Sequence, residues 1–572
     1  MEKSVNVAPQ QERYDAIVVG SGVTGGWAAK ELTERGLQTL VLERGRDVKH
    51  GEDYNTEHTP PWEMEYNGRG NEQEMKETQP RQSMAGPVNP YNRHFFVDDT
   101  KHPYTYDDDK PFLWVRGYHK GGRSLTWGRQ SYRWSPMDFE ANAREGVAVD
   151  WPIRYEDIAP WYSYVEKHAG ISGAEEGLRQ LPDSEFFPPM EMNVVEKHVR
   201  EGMASNFDDR SMTIGRTAVL TKPHKNRQAC HYCGPCSRGC SVGAYFSSQS
   251  STLPAARATG NMTMQCNSIV TEVLYDADSG RASGVRVIDA ETNEERTYEA
   301  DLVFLNASAL GSVKILLNST SPEFPNGLAN SSGTLGHYIM DHHFKVGAVA
   351  QMDGFNDRYY YGSRPNGIYI PRFRNLPWQP STETDFLRGY GYQGGASRQG
   401  WGRGTSKAGF GADFKHDLRD PGPWQMYLLG FGEMLPREEN YVTLNEDVTD
   451  EWGMPALHAN VTLSDNAKRM REDMKAQAAE ILEAVGGTDV TEFESRYWPG
   501  EGIHEMGGAR MGRDPETSVL NGYNQAHDVP NLFVTDGACM TSAACQNPSL
   551  TYMALTARAV DYAVKEMKKG NI

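Results

Sequence analysis

Four cysteines crowd into the middle of the chain, at Cys230, Cys233, Cys236 and Cys240. The spacing Cys-x2-Cys-x2-Cys-x3-Cys is the compact arrangement by which bacterial ferredoxins hold cuboidal iron–sulfur clusters through thiolates. We therefore predict one iron–sulfur cluster, either [3Fe–4S] or [4Fe–4S], with electron transfer as its chemistry. The alternatives are a closed four-thiolate zinc site and a cluster of thiols without metal. Zinc modules usually hold two cysteine pairs separated by a longer gap.

A glycine-rich turn near the N-terminus indicates dinucleotide binding. The pattern Gly20-x-Gly22-x-x-Gly25 follows the apolar run of residues 14–19 and opens a helix-like pattern. In such a turn the first glycine permits the sharp bend, the second lets the backbone approach a pyrophosphate, and the third allows close helix-to-strand packing. Glu43 ends the next apolar run, where a carboxylate accepts hydrogen bonds from ribose hydroxyls. The turn alone does not separate FAD from NAD.

Two more segments carry side chains that suit a bound ring system. Residues 121–128 (GGRSLTWG) follow the apolar and basic stretch 112–117 (FLWVRG), and their small residues allow the loop to pass closely under a flat ring. Near the C-terminus His504 and Asn547 are separated by a segment that includes NLFVTDG. This histidine and this asparagine are candidate catalytic residues for a reaction that uses the bound dinucleotide.

Together these motifs resemble the glucose-methanol-choline (GMC) family of FAD-dependent alcohol oxidoreductases. Within that family the resemblance is to the bacterial sugar dehydrogenase branch, which includes gluconate, fructose and glucose dehydrogenase large subunits and glucoside 3-dehydrogenase. The matching segments are GSGVTG, LERG, GGRSLTWGR, ALGSVKILLNS at 309–319, LGHYIMDHH at 335–343, HEMGGARMG at 504–512, NLFVTDGA and NPSLT. The resemblance implies an α/β fold with a Rossmann-like FAD-binding domain and a discontinuous substrate domain that contains an antiparallel sheet.

The resemblance also implies roles for individual residues. His504 matches the active-site histidine, and Asn547 matches the second member of the catalytic pair. His337, His342 and His343 fall in a packing motif, and we expect them to be structural. The predicted contacts to FAD are Gly20, Gly22, Gly25, Glu43, Arg44, Arg116, Gly121, Gly122, Ser124, Trp127, Asp536, Gly537, Asn547, Pro548 and Thr551.

The catalytic pair suits the oxidation of an alcohol. Hydride transfer from a carbinol carbon to flavin N5 requires the hydroxyl to lose its proton, and a neutral imidazole near pH 7 is well matched to accept it. The Asn547 amide is expected to donate to the developing alkoxide. Some relatives attach FAD covalently through a histidine next to the loop tryptophan, whereas this chain has Thr126 there, so we expect non-covalent FAD.

Length and charge restrict the possible partners. A chain of 572 residues is expected to form two or more substructures. A formal net charge of −19 argues against nucleic acid and against anionic membrane surfaces, because like charges repel. The sequence contains no apolar run long enough to span a membrane, and residues 1–13 lack the apolar stretch of a secretory signal. We therefore expect neither a membrane span nor an export leader of its own.

Periodicity and turn signals divide the chain into predicted domains. We expect residues 151–225 to be mainly helical, residues 262–305 to form strands, and helices near 464–485 and 549–568. The predicted FAD-binding domain comprises residues 12–50, 113–150, 245–345 and 500–572. The predicted substrate domain comprises 151–229 and 346–499, with 51–112 as a cover or insertion and 230–240 as the iron–sulfur segment.

The expected reaction is oxidation of a secondary hydroxyl of a sugar or glycoside, with C3 among the candidate positions. Aromatic and polar residues between 358 and 404 suit sugar binding, namely Tyr359, Tyr360, Tyr361, Trp378, Tyr390, Tyr392, Arg398 and Trp401. Electrons are expected to leave through the cluster to a cytochrome or quinone-linked acceptor. By resemblance, a small export subunit would carry the chain to the bacterial periplasm; the alternative is the cytoplasm. The competing functions are an O2-using sugar oxidase and a non-catalytic flavoprotein subunit.

Overall fold

The computed structural model describes residues 12–359 and 362–572. Its first seven-stranded sheet is mixed and contains the apolar runs predicted around the glycine-rich turn. Strand Glu12–Val19 pairs in parallel with Thr39–Leu42 on one side and with Glu295–Leu305 on the other. The remaining strands of this sheet are Met262–Gln265, Ser268–Asp276, Arg281–Asp289 and Leu532–Val534. Residues 16–19 are almost fully buried, which explains why the first strand reads as a continuous apolar run.

Helices pack on the first sheet, and the first of them begins at the glycine-rich turn. Helix Val23–Glu34 begins directly after Gly22, and it packs against the C-terminal helix Ser549–Lys569. The C-terminal helix also packs on Tyr155–Ala169. The other α-helices are Glu72–Thr78, Pro136–Glu145, Val194–Asn206, Thr252–Ala258, Ala309–Asn318, Gly411–Asp417 and Asp465–Ala484.

A second seven-stranded sheet is antiparallel throughout its pairings. Its central strand, Trp424–Glu433, lies between Val346–Met352 and Tyr390–Arg398, and it also pairs with the short strand His342–His343. The sheet is completed by Thr213–Ile214, Ile368–Ile370 and Thr488–Glu494. Helix Asp465–Ala484 covers one face of the sheet. Smaller sheets contain Tyr104–Tyr106, Tyr441–Thr449 and Pro455–Asn460, and Ile171–Ser172 with Phe186–Phe187.

The α/β fold with an antiparallel second sheet is as predicted, and so are the strands of 262–305 and the helices near 464–485 and 549–568. The expectation that 151–225 is mainly helical is wrong, because between helices Tyr155–Ala169 and Val194–Asn206 the chain forms short strands and turns. The predicted domain boundaries stay a prediction. Among the described residues, no helix is both long and apolar enough to cross a bilayer.

Candidate active site

One elongated cavity of about 580 Å³ joins the glycine-rich turn to the C-terminal pair. Its walls come from segments that are far apart in sequence, including the 121–128 loop and residues 501–505. The predicted site residues that line it are Gly20, Gly22, Glu43, Arg44, Arg116, Gly122, Ser124, Trp127, His504, Asp536, Gly537 and Asn547. The motifs singled out in the sequence therefore meet around a single space of the kind that an elongated cofactor requires.

The glycines of the turn differ in what surrounds them. A Cβ on Gly20 would lie 2.4 Å from the carbonyl oxygen of Asn306, and one on Gly25 would lie 2.0 Å from the carbonyl oxygen of Gly20. At Gly22 a Cβ would meet no atom within 4 Å, because that side of the turn opens into the cavity. Gly20 and Gly25 are thus needed for backbone packing, while Gly22 leaves room for a ligand at the start of a helix, as a pyrophosphate needs.

Substitutions at two of these glycines are expected to have different effects. We expect Gly22→Ala to keep the melting temperature of the apoprotein and to weaken FAD binding by about tenfold or more, because its methyl group projects where the pyrophosphate binds. Gly25→Ala should instead destabilise the fold by about 1–3 kcal/mol through overpacking. Thermal melts and FAD titrations of the apoproteins measure both. Wild-type FAD affinity in a folded Gly22→Ala protein would contradict the assignment.

The carboxylate after the second strand ties two cofactor loops together. Glu43 accepts hydrogen bonds from the backbone N–H and hydroxyl of Ser21, at 3.1 and 2.5 Å, and from the backbone N–H of Gly45 at 2.9 Å. The Ser21 hydroxyl accepts in turn from the backbone N–H of Gly121 at 2.9 Å. Burial raises the pKa of Glu43, and these donors oppose the rise. The network holds the 121–128 loop beside the glycine turn.

Four predicted cofactor contacts lie behind the cavity wall instead of lining it. Gly25 and Gly121 shape the two loops, as their close contacts indicate. Thr551 is buried, and its hydroxyl lies 2.7 Å from the hydroxyl of Tyr162, which directs it away from the cavity. Pro548 caps the C-terminal helix. The NPSLT motif thus contributes Asn547 and Ser549 to the lining, and Thr551 packs the helix.

The predicted catalytic pair is brought together in the wall of the cavity that the glycine turn also lines. Asn547 Nδ2 lies 3.3 Å from His504 Nε2, and the Asn547 Oδ1 accepts from the side chain of Gln393 at 2.7 Å. Gln393, in the second sheet, therefore orients the Asn547 amide so that its N–H groups face the histidine. Burial, with smaller contributions from His342 and Arg123, holds the pKa of His504 well below its usual value. The imidazole is a neutral base at pH 7.

The loop that carries His504 is anchored on a buried carboxylate that sequence reasoning missed. Asp341 accepts four backbone hydrogen bonds of 2.8 to 3.0 Å, from His342, Gly500, Gly502 and His504. Burial and the nearby Glu505 raise the pKa of Asp341 to about 7, and these donors oppose the rise. The same carboxylate therefore positions the backbone at both His342 and His504.

His342 does more than pack in the LGHYIMDHH motif. Its Nδ1 lies 2.9 Å from His504 Nδ1, with the two rings nearly perpendicular. His337, by contrast, bonds the backbone oxygen of Glu438 near the surface, and the ring of His343 is buried on the other side of the strand. In the sequence, the signal that could have indicated this role is the clustering of three histidines and an aspartate in the motif. The contact with His504 distinguishes the role of His342 from the roles of the other two histidines.

Of the residues predicted to bind sugar, none of those that the structure describes lines the cavity. Tyr390 and Tyr392 are core residues of the second sheet, and their hydroxyls bond Asp473 and the backbone of Met474. Tyr359 and Trp401 are exposed, Trp378 packs on Arg179, and Arg398 caps backbone oxygens. Tyr360 and Tyr361 lie outside the described residues. Near His504 the cavity is lined by Phe344 and Phe431, which stack with ring centroids 5.3 Å apart.

The four clustered cysteines line a second cavity of about 70 Å³, together with Tyr245. Burial raises the pKa of the thiols of Cys230, to about 11, and of Cys233 and Cys240. Within residues 12–359 and 362–572, no three His, Cys, Asp or Glu side chains converge on a site for a single metal ion. The thiols thus surround a common space without forming a preassembled mononuclear centre.

Direct contacts connect the cysteine cavity to the large cavity. Arg129 lines the large cavity and donates to the backbone oxygen of Cys236 at 3.2 Å. Tyr245 lines the cysteine cavity, packs under the Arg129 guanidinium at 5.1 Å, and donates its hydroxyl proton to the backbone oxygen of Leu125 at 2.6 Å. One layer of side chains therefore separates the two spaces.

Comparison with known proteins agrees with this architecture. A 2-methyl-1,2-propanediol dehydrogenase of Mycolicibacterium austroafricanum is 29% identical over 575 residues, covering 96% of this chain and 95% of its own length. The fructose dehydrogenase large subunit of Gluconobacter japonicus is 24% identical, covering 97% and 98%. A solved formate oxidase of Aspergillus oryzae superposes with a TM-score of 0.62 at 13% identity, covering 98% and 100%.

The family assignment rests on the length of chain that is matched. Residues 14–343 and residues 436–556 each match the GMC oxidoreductase family. These two segments contain the glycine turn, the 121–128 loop, the LGHYIMDHH motif and both members of the predicted catalytic pair. With more than half of its length matched and the same fold as a solved formate oxidase, the chain belongs to the GMC oxidoreductase family.

Proposed function

We propose that this chain is an FAD-dependent dehydrogenase that oxidises a secondary hydroxyl of a sugar or glycoside. Membership of the GMC family makes it an oxidoreductase that acts on alcohol or sugar groups and supports FAD as its cofactor. The observation that carries the finer proposal is the pairing of His504 Nε2 with Asn547 Nδ2 in the wall of a cavity that the glycine turn also lines. A small diol is the second candidate substrate, favoured by the 29% identity to 2-methyl-1,2-propanediol dehydrogenase.

The residues present fit bound FAD. Gly22 leaves open space at a helix N-terminus, and Glu43 lies at the end of the neighbouring strand, where ribose hydroxyls bind. Asp536 lines the cavity beside Gly537, and burial raises its pKa to about 6. A bound flavin supplies the acceptor for the hydride of the substrate.

The catalytic pair supplies the proton chemistry and the charge stabilisation. His504 Nε2 accepts the proton of the substrate hydroxyl as the carbinol carbon loses hydride, which general-base catalysis makes about 10² to 10⁴ faster. Asn547 carries two N–H groups on Nδ2, of which one faces His504 and the other remains for the developing alkoxide. Gln393 keeps this amide in the donating orientation.

FAD is proposed to be held without a covalent bond. Thr126 lines the cavity beside Trp127, at the position where some relatives carry the linking histidine, and a threonine hydroxyl offers no such linkage. We expect acid precipitation to leave a colourless pellet and to release the yellow colour into the supernatant. A yellow pellet after washing would contradict non-covalent binding.

Electrons are proposed to leave through an iron–sulfur cluster held by the four clustered cysteines. Four thiols around one cavity are the donor set that cuboidal clusters use. Arg129 and Tyr245 join this cavity to the large one, which supports electron exit on that side. The acceptor would be a cytochrome or quinone-linked protein. From the resemblance to sugar dehydrogenase large subunits we also propose a small export subunit and a periplasmic location. A cytoplasmic location is the alternative.

An anaerobic substrate panel tests the proposed function. Purified holoprotein is mixed with sugars, glycosides and small diols, and bleaching of the flavin absorbance is followed. We expect sugars or glycosides to bleach it fastest; bleaching by diols alone would select the second candidate. The same reactions in air distinguish an O2-using oxidase, which forms peroxide faster than it reduces a dye. No bleaching by any alcohol would indicate a non-catalytic flavoprotein.

A further inference from the structure

A chain of hydrogen bonds runs from the Asn547 amide through two histidine rings to a backbone carbonyl. Asn547 Nδ2 contacts His504 Nε2 at 3.3 Å, and His504 Nδ1 contacts His342 Nδ1 at 2.9 Å. His342 Nε2 makes a short contact to the backbone oxygen of Ala544. Asn547 and His342 are buried, and His504 is half-buried in the wall of the cavity.

The backbone carbonyl of Ala544, at the end of this series of hydrogen bonds, determines which nitrogens of the two rings carry hydrogen. A carbonyl oxygen only accepts, so His342 Nε2 must carry hydrogen and donate to Ala544. The other nitrogen of a neutral His342, Nδ1, is then an acceptor, and His504 Nδ1 must carry hydrogen to donate to it. The remaining nitrogen of neutral His504, Nε2, therefore presents a lone pair toward Asn547 and the cavity.

We propose that His342 is a positioning residue that fixes the tautomer and ring orientation of His504, so that Nε2 is the nitrogen that accepts the proton of the substrate. This inference rests on the proposed alcohol oxidation. His342 itself is not predicted to touch substrate. It acts through the acceptor that its Nδ1 presents to His504, a role that no other described side chain is placed to fill at that nitrogen.

The backbone holds His342 firmly in this role. His342 pairs with Glu433 and His343 with Gly432 in the second sheet, and successive side chains alternate between faces, so only the His342 ring reaches His504. Gly432 is required beneath the neighbouring ring, because a Cβ there would lie 2.2 Å from His343. Asp341 then binds the backbone N–H groups of both His342 and His504.

The arrangement stabilises the protonated base without passing its proton onward. When His504 Nε2 gains the hydroxyl proton, the O–H bond breaks, an N–H bond forms, and His504 becomes an imidazolium that still donates from Nδ1 to His342. His342 remains neutral, since burial lowers its pKa to about 4. The hydrogen on His342 Nε2 stays hydrogen-bonded to the backbone oxygen of Ala544, and this carbonyl has no proton to release. The proton of His504 must therefore leave on the cavity side.

Two substitutions at His342 separate an acceptor role from a packing role. His342→Asn keeps an acceptor, Oδ1, on the same Cγ that carries Nδ1, whereas His342→Leu removes the acceptor. With a substrate that bleaches the wild-type flavin, we expect the stopped-flow rate constant of His342→Leu to fall by about 10²-fold, since general-base catalysis is lost when the proton sits on the wrong nitrogen. His342→Asn should stay within about tenfold of wild type.

His343→Leu is the matched control, because it removes a buried histidine from the same strand without touching His504. We expect near-wild-type rates from it. Nitrogen-15 NMR of labelled holoprotein reads the tautomer directly, with the His504 signals identified by their loss in His504→Gln. Wild type and His342→Asn should show protonated Nδ1 on His504, and His342→Leu should show protonated Nε2 as well. FAD content and melting temperature are recorded for each variant.

Several outcomes would overturn the inference: His342→Leu as fast as His343→Leu, His342→Asn as slow as His342→Leu, or an unchanged His504 tautomer in His342→Leu. If His342→Leu does not fold, His342→Met replaces it, because its unbranched side chain fills the site and its thioether is at most a weak acceptor for His504 Nδ1. A wild-type protein that no alcohol bleaches would refute the proposed function itself. The NMR tautomer would still test the positioning of His504 in that case.

Discussion

Replacing His504 with glutamine is expected to lower the rate constant of anaerobic flavin reduction by about 10² to 10⁴, the usual contribution of a general base. Glutamine has a similar size and fills the space beside Asn547, but its amide does not accept a proton at neutral pH. FAD should stay bound, because His504 is not among its predicted contacts. Stopped-flow absorbance after mixing with a reducing substrate measures the rate.

The same variant should lose the acid limb of the pH profile. In wild type the base must be unprotonated, and burial holds the pKa of His504 well below its ordinary value of 6.5. We therefore expect kcat/KM to stay high as pH falls through 6.5 and to decline only at lower pH. His337→Gln is the matched control, since it changes a histidine that bonds Glu438 away from the cavity. Wild-type rates in a folded His504→Gln protein would refute His504 as the base.

Removing two of the clustered cysteines is expected to uncouple the two halves of the reaction. In Cys230→Ser/Cys236→Ser at least one ligand is lost even when the cluster uses only three of the four thiolates. The cluster should not assemble, because thiolates supply its protein ligands. Substrate should still bleach the flavin at a rate close to wild type, whereas electron delivery to a protein acceptor such as a c-type cytochrome should fall by more than about tenfold.

Iron and sulfide analysis and low-temperature EPR of protein purified without oxygen provide the readout. Cys266→Ser is the matched control, because Cys266 lies outside the cysteine cavity. It should keep the metal content and acceptor rate of wild type. Wild-type protein with one zinc and no iron would refute the cluster. Equal acceptor rates in wild type and the double variant would show that electrons leave by another route.

Local patterns were sufficient to predict many of the residues that line the large cavity. Gly20, Gly22 and Gly25 were predicted with separate roles, and their surroundings differ in the expected way. The apolar runs at 14–19 and 39–42 are buried parallel strands, because such runs have few other stable environments. Thr551 was assigned to the cavity by its place in the NPSLT motif, but one turn of helix separates it from Asn547 and directs its hydroxyl to Tyr162.

The substrate side could not be predicted in the same way. The aromatic content of residues 358–404 suggested sugar binding, yet Tyr390 and Tyr392 are core residues and Trp401 is exposed. Composition alone does not distinguish an aromatic residue that faces a cavity from one that faces the core, because the two alternate along a strand. Phe344 and Phe431 line the cavity because two strands of the second sheet end there.

The sequence by itself determined the family, the glycine turn and the clustered cysteines, and it predicted the catalytic pair. These features depend on residue type and short spacing, which control local backbone conformation and donor chemistry. Only the tertiary structure decided which groups surround His504: Gln393 orients Asn547, Asp341 anchors the backbone, and His342 meets the ring at 2.9 Å. These contacts join residues far apart along the chain, and they depend on the pairing of His342–His343 with Trp424–Glu433, which no local pattern specifies.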